Sequence, residues 1–89
     1  MDDAARGRLL RLLEAHGPSG REREAADLWA ELAAEFADVE RDRLGNAMAS
    51  VGPADAPAVL LLGHIDQIGL IVTHIEDDGV LRVRGLGGW

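Results

Sequence analysis

The chain has 89 residues, a formal net charge of −7 and 47% hydrophobic residues, which suits one small domain or part of a larger one. The acidic balance argues against a nucleic-acid partner, and the lack of cysteine excludes disulfides and thiolate metal sites. No apolar run is long enough to cross a membrane and no signal peptide is visible, so we expect a cytoplasmic protein without a membrane partner.

Two helices are predicted in the first third of the chain. Residues 4–15 carry leucines at helical spacing, and Gly17 is expected to end this helix in a left-handed conformation. Ser19 and Glu22 fit a capping box, so Ser19 is expected to cap the second helix. Apolar residues then recur at steps of three and four as far as Phe36, which indicates a long amphipathic helix.

Two β-hairpins and one buried strand are predicted in the remainder. Residues 39–44 and 47–51 flank a Gly-Asn turn signal and form the first hairpin. Residues 58–63 are almost entirely apolar, which is typical of a strand covered on both faces. Residues 69–75 and 80–84, joined by an Asp-Asp-Gly turn, form the second hairpin. The pattern predicts the N-terminal part of a larger α/β protein.

A histidine and an aspartate directly follow the predicted buried strand. His64 and Asp66 are two residues apart, so on an extended segment they point to the same face. Ligands of open α/β sheets collect at the carboxyl ends of strands. A carboxylate beside an imidazole orients the ring and raises its basicity, as a metal-bound histidine requires. The pair indicates a metal site, and a hydrogen-bonded structural histidine is the alternative.

The two other histidines are given structural roles. His16 lies at a helix end, where it interacts favourably with the helix dipole. His74 is expected on one face of a regular strand together with Val72 and Glu76. Neither pattern indicates catalysis.

Five short motifs follow one another along nearly the whole chain. They are Gly17-Pro18-Ser19-Gly20, Leu44-Gly45-Asn46, Gly63-His64-Ile65-Asp66-Gln67-Ile68-Gly69, Val72-Thr73-His74-Ile75 and Leu86-Gly87-Gly88-Trp89. Together, in this order, they resemble the N-terminal region of the dinuclear metallo-aminopeptidases. That family includes glutamyl, deblocking and tetrahedral aminopeptidases, and some members are named endoglucanase M or cellulase.

The resemblance implies an enzyme that hydrolyses N-terminal residues from peptides with two divalent metal ions, zinc or cobalt. It implies that His64 ligates one metal and that Asp66 is the orienting carboxylate, commonly counted as catalytic. The family's other ligands and its general base lie further along, so the 89 residues alone are expected to be inactive and metal-free. The family usually has glutamate at the position of Gln67, and the change removes a negative charge beside the site.

The resemblance also implies a domain boundary and self-association. Residues 1–69 match the first part of an α/β/α catalytic domain, and residues 70–89 match the first hairpin of an inserted β-rich dimerisation domain. The expected partners are a peptide substrate and further copies of the chain in a homo-oligomer. Two alternatives stay open: a related two-metal amidohydrolase or carboxypeptidase, which also uses His-x-Asp at a strand end, and a non-catalytic binding or assembly module.

Overall fold

The computed structural model describes all 89 residues and has an α/β fold with two helices and two antiparallel two-stranded sheets. The elements are α1 (Asp3–Glu14), α2 (Arg23–Ala33), β1 (Asp38–Arg41), β2 (Ala47–Ser50), β3 (Gly69–Ile75) and β4 (Leu81–Leu86). Both helices and both hairpins overlap the predicted ranges, but α2 is shorter than predicted at both ends, since the prediction ran from Ser19 to Phe36. Neither helix is long and apolar enough to span a bilayer.

The core lies where α2 meets α1 and the β1–β2 hairpin. Helix α2 contacts α1, β1 and β2. The buried apolar side chains are few and mostly small: Ala15, Ala25, Ala26, Leu32 and Ala33. Because alanines allow close approach of the backbones, α2 holds the neighbouring loop segments tightly even though the core is small.

Helix α1 ends without the predicted left-handed glycine. The side chain of Asp2 caps its first turn by accepting from the Ala5 amide at 2.7 Å. The helix ends at Glu14, and Gly17 does not have a positive φ, so that prediction is wrong. A Cβ on Gly17 would lie 3.0 Å from the Cβ of Ala25. A side chain at this position would therefore crowd α2.

The predicted Ser19 cap is also wrong. Helix α2 begins at Arg23, and the residue before it, Glu22, makes no capping bond with its side chain. The Ser19 hydroxyl instead donates to the carboxylate of Asp66 at 2.5 Å. A capping hydroxyl accepts from an amide of the first helical turn, and Ser19 lies four residues before α2, so the cap cannot form.

One carboxylate organises the loop of the β1–β2 hairpin. Asp42 accepts from the amides of Leu44 and Asn46 at 2.8 and 2.9 Å, and from the Asn46 side chain at 2.6 Å. Gly45 supplies the left-handed residue that the turn needs, with φ of 94°. These hydrogen bonds, that of the Asn46 side chain foremost, lower the pKa of Asp42 below its ordinary value of 3.8.

Acidification is expected to loosen this loop. A lowered pKa in the folded state means that ionised Asp42 stabilises the loop above pH 3.8, and that this contribution is lost as the pH falls through the folded-state pKa. NMR shifts of the Leu44 and Asn46 amides should therefore titrate with a midpoint below 3.8. Asp42→Asn should abolish the titration. A midpoint at or above 3.8 in the unmodified chain would contradict this assignment.

The apolar segment 58–63 forms no strand, so the prediction of a covered strand is wrong for this structure. Its four large apolar residues, 59–62, are between 74% and 89% exposed. A buried strand needs a hydrogen-bonded neighbour on each side and helices on both faces. The four strands of these 89 residues pair only within their own hairpins and leave this segment without neighbours.

The β3–β4 hairpin contains a bulge at Thr73 that changes which side chains share a face. The register shifts between Val72 and His74, and His74 pairs with Arg82. A bulge adds one residue to one strand, so Val72 and His74 do not share the face predicted for a regular strand. His74 Nε2 lies 3.3 Å from a carboxylate oxygen of Glu76, which also binds Arg82. The predicted structural role of His74 agrees with these contacts.

Candidate active site

Two loop segments that are distant in sequence are bound together beside the start of α2. The Gln67 amide donates to the Gly17 carbonyl at 2.7 Å, and the Ser19 amide donates to the Gln67 carbonyl at 3.3 Å. These bonds form a short parallel bridge between residues 18 and 67. The Gln67 side chain adds a third bond by donating to the Ala15 carbonyl at 3.0 Å. The bridge fixes the position of the neighbouring Asp66 relative to α2.

The His64 and Asp66 side chains converge as the sequence predicts. His64 Nδ1 lies 3.0 Å from Asp66 Oδ1 and 3.1 Å from the Asp66 carbonyl oxygen. The second carboxylate oxygen, Oδ2, accepts the hydrogen bond from the Ser19 hydroxyl. One carboxylate therefore binds an imidazole with one oxygen and a hydroxyl with the other.

The electrostatics of this arrangement favour an ionised Asp66. The Ser19 hydrogen bond, followed by the hydrogen bond from His64, lowers the pKa of Asp66 below its ordinary value of 3.8. An ionised carboxylate only accepts hydrogen bonds, so the Nδ1 atom of His64 carries the proton. In the neutral ring, Nε2 is then unprotonated and has a lone pair available.

The Nε2 atom of His64 can serve as one ligand of a divalent metal ion. Its side chain is 85% exposed while that of Asp66 is 40% exposed, so Asp66 lies behind the ring and Nε2 is accessible. A carboxylate on the far nitrogen is the usual support of a metal-bound histidine. No group of three or more histidine, aspartate or glutamate side chains is arranged to hold a metal ion in the structure. Tetrahedral zinc takes three or four protein ligands, so these residues provide one corner of such a site.

A cavity of about 820 Å³ opens beside the carboxylate of Asp66. It lies between the start of α2 and the β1–β2 hairpin loop, and four of its lining residues are arginines: Arg21, Arg23, Arg41 and Arg43. Its volume falls within the range of roughly 300–1,000 Å³ that is common for small-ligand sites. The carboxylate of Asp66 therefore borders an open cavity of the size of a small-ligand site.

Sequence reasoning missed the contribution of two residues to this site. The sequence pattern indicates a helix cap at Ser19 and, at Gln67, only the loss of a negative charge. The Gln67 side chain is in fact a hydrogen-bond donor to the Ala15 carbonyl, which an ionised glutamate cannot be. The signal available in the sequence was the presence of both residues in the ordered motifs that surround His64.

Comparison with solved structures defines the class of protein. The crystal structure of the TET aminopeptidase from the marine sediment archaeon Thaumarchaeota archaeon SCGC AB-539-E09 matches 98% of the chain with a TM-score of 0.83. The sequence identity is 38%, and the match covers 24% of that protein. The fold of these 89 residues is thus that of a peptidase over the matched region.

Sequence comparison then shows the family. The M42 glutamyl aminopeptidase family model matches residues 45–89. The lysyl aminopeptidase of Pyrococcus furiosus is 41% identical over 80 residues, which are 88% of this chain and 23% of that protein. The glutamyl aminopeptidase of Lactococcus lactis subsp. cremoris is 43% identical over 35 residues, 39% of this chain and 10% of that protein.

The chain belongs to the M42 glutamyl aminopeptidase family, which confirms the family predicted from the motifs. It spans about a quarter of the length of the lysyl and TET aminopeptidases. The M42 family is a family of hydrolases. The match leaves about three quarters of each of these two relatives unmatched.

Proposed function

We propose that the whole protein carrying these 89 residues is a metal-dependent aminopeptidase that releases N-terminal residues from peptides. The observation that carries the proposal is the carboxylate–histidine pair, in which Asp66 binds Nδ1 of His64 and leaves Nε2 accessible. Membership of the M42 family supports a peptide as the substrate and the N-terminus as the end from which residues are released.

The two residues have different roles in this proposal. His64 would bind one of two divalent ions, zinc or cobalt, through Nε2. Asp66 would hold the ring in the required tautomer and orientation and increase its basicity. Divalent ions in such sites polarise a carbonyl group and activate water for attack. The other ligands would come from residues outside these 89, so we propose that the 89-residue chain alone is inactive.

We also propose that the domain boundary lies between residues 69 and 70 and that the protein forms a homo-oligomer in the cytoplasm. In support, β3 and β4 contact each other but no other helix or strand. The accessible surface is 7712 Å², compared with about 5,000 Å² for a compact protein of this mass. Large apolar side chains of segment 59–62 and of both strands of the hairpin are about half or more exposed. The rest of the protein and partner copies would cover these surfaces.

The substrate class can be tested with three versions of one peptide: unmodified, N-terminally acetylated and C-terminally amidated. The whole protein should shorten the unmodified and the amidated peptide one residue at a time from the N-terminus, as measured by mass spectrometry, and leave the acetylated peptide intact. Loss of residues from the C-terminus would instead show a carboxypeptidase. No cleavage of any peptide in the presence of zinc or cobalt would favour a binding or assembly module.

A further inference from the structure

The Ser19 hydroxyl makes the shortest hydrogen bond to the candidate site. It donates to Asp66 Oδ2 at 2.5 Å across 47 positions of sequence. This length is typical of a strong O–H···O⁻ bond. Asp66 Oδ1 lies 3.0 Å from His64 Nδ1, so the three side chains form a continuous chain of hydrogen bonds that ends at His64 Nε2.

The position of Ser19 is fixed by its backbone. Its amide donates to the Gln67 carbonyl, and the Gln67 amide donates back to the Gly17 carbonyl. These two backbone bonds hold Ser19 next to the segment that carries Asp66.

The Nδ1 atom of His64 has a second acceptor within reach besides the carboxylate of Asp66. His64 Nδ1 lies 3.1 Å from the carbonyl oxygen of Asp66, almost as close as it lies to the carboxylate. A carboxylate free to rotate about its χ angles would leave the imidazole with this neutral acceptor alone. A neutral acceptor polarises the ring less than a carboxylate and makes Nε2 a weaker ligand.

We propose that Ser19 is a positioning residue for metal binding: its hydroxyl holds Asp66 Oδ1 on Nδ1 of His64 and so keeps Nε2 unprotonated and directed away from the carboxylate. This inference rests on the proposed function. A purely structural role as a helix cap is excluded by the geometry, because α2 begins four residues later without a side-chain cap. Ser19 acts through Asp66 and is not itself a metal ligand.

The experiment measures Zn²⁺ affinity of the metal-stripped whole protein by competition with a chromophoric chelator at fixed pH. Ser19→Ala should weaken the affinity by about 10–100-fold, the range typical for loss of a group that orients a metal-binding histidine. Ser19→Thr keeps the hydroxyl and should restore affinity to within about threefold. Ser50→Ala removes the only other serine, on the exposed side of β2, and should leave affinity unchanged.

A second variant and a second readout separate positioning from folding. Ser19→Val has nearly the shape of Ser19→Thr but no hydroxyl, so it should lose affinity where Ser19→Thr keeps it, and the melting temperatures of the two variants show whether folding is affected. NMR of ¹⁵N-histidine-labelled, metal-stripped protein should show His64 protonated at Nδ1 in the wild type and a mixture of tautomers in Ser19→Ala.

The outcomes distinguish this inference from the proposed function. If the wild type binds zinc and Ser19→Ala binds it equally well, the positioning role is overturned while the proposed function stands. A fall in melting temperature of Ser19→Ala or Ser19→Val with unchanged affinity and tautomer would also overturn it. If the wild type itself binds no divalent ion, the proposed function fails and the inference fails with it.

Discussion

Replacing His64 with alanine in the whole protein is expected to reduce kcat/KM for peptide hydrolysis by at least about 1,000-fold, which corresponds to about 4 kcal/mol of transition-state stabilisation. The reason is that Nε2 of His64 is the one accessible ligand atom of the Ser19–Asp66–His64 chain of hydrogen bonds. The metal content of the purified protein should fall at the same time, which elemental analysis measures independently of activity.

His74→Ala is the matched control for this variant. His74 also contacts a carboxylate, that of Glu76, at 3.3 Å, but it lies on the β3–β4 hairpin away from the site. Its replacement should change kcat/KM by less than about threefold, as expected for an exposed contact. Wild-type activity and metal content in His64→Ala would refute the assignment of His64 as a ligand.

Asp66→Asn is expected to produce the second-largest effect, a decrease of about 10–100-fold in metal affinity or in kcat/KM. The substitution keeps the shape of the side chain and its carbonyl oxygen but removes the negative charge. Without that charge the imidazole is less basic, and the Ser19 hydroxyl loses its strong acceptor. Titration of the metal-stripped protein with zinc, followed by activity at each concentration, measures both quantities.

The shape of that titration separates two roles of Asp66. If excess zinc restores full activity, Asp66 acts only through metal affinity. If kcat stays low at saturating zinc, Asp66 also assists the reaction itself. Asp55→Asn, in an exposed loop, is the matched control for loss of one charge and should behave as the wild type. An Asp66→Asn protein with unchanged affinity and unchanged kcat would contradict both roles.

The elements set by local chemistry were predictable from the sequence. Gly45 and Gly79 have positive φ in the turns of the two hairpins, and these glycines mark both turns in the sequence. The spacing of His64 and Asp66 predicted their convergence, because two residues two positions apart meet whenever the segment is extended. The family followed from five motifs in order, and the comparisons confirm it.

The features set by distant partners were not predictable. Ser19 fits a helix-capping pattern, and only the fold brings Asp66 close enough to accept a hydrogen bond from its hydroxyl. The bulge at Thr73 depends on pairing between β3 and β4, which periodicity along one strand does not report. Segment 58–63 has the composition of a buried strand, but a strand forms only where neighbouring strands satisfy its backbone.

The most direct test of the account is the rate at which the whole protein releases an N-terminal residue before and after its metal is removed. The purified protein is stripped with a chelator, dialysed and assayed on a peptide with a free N-terminus, then assayed again after addition of zinc or cobalt. We predict that stripping abolishes release and that either ion restores it in the wild type but not in His64→Ala. Undiminished release by the metal-free wild type would contradict the account.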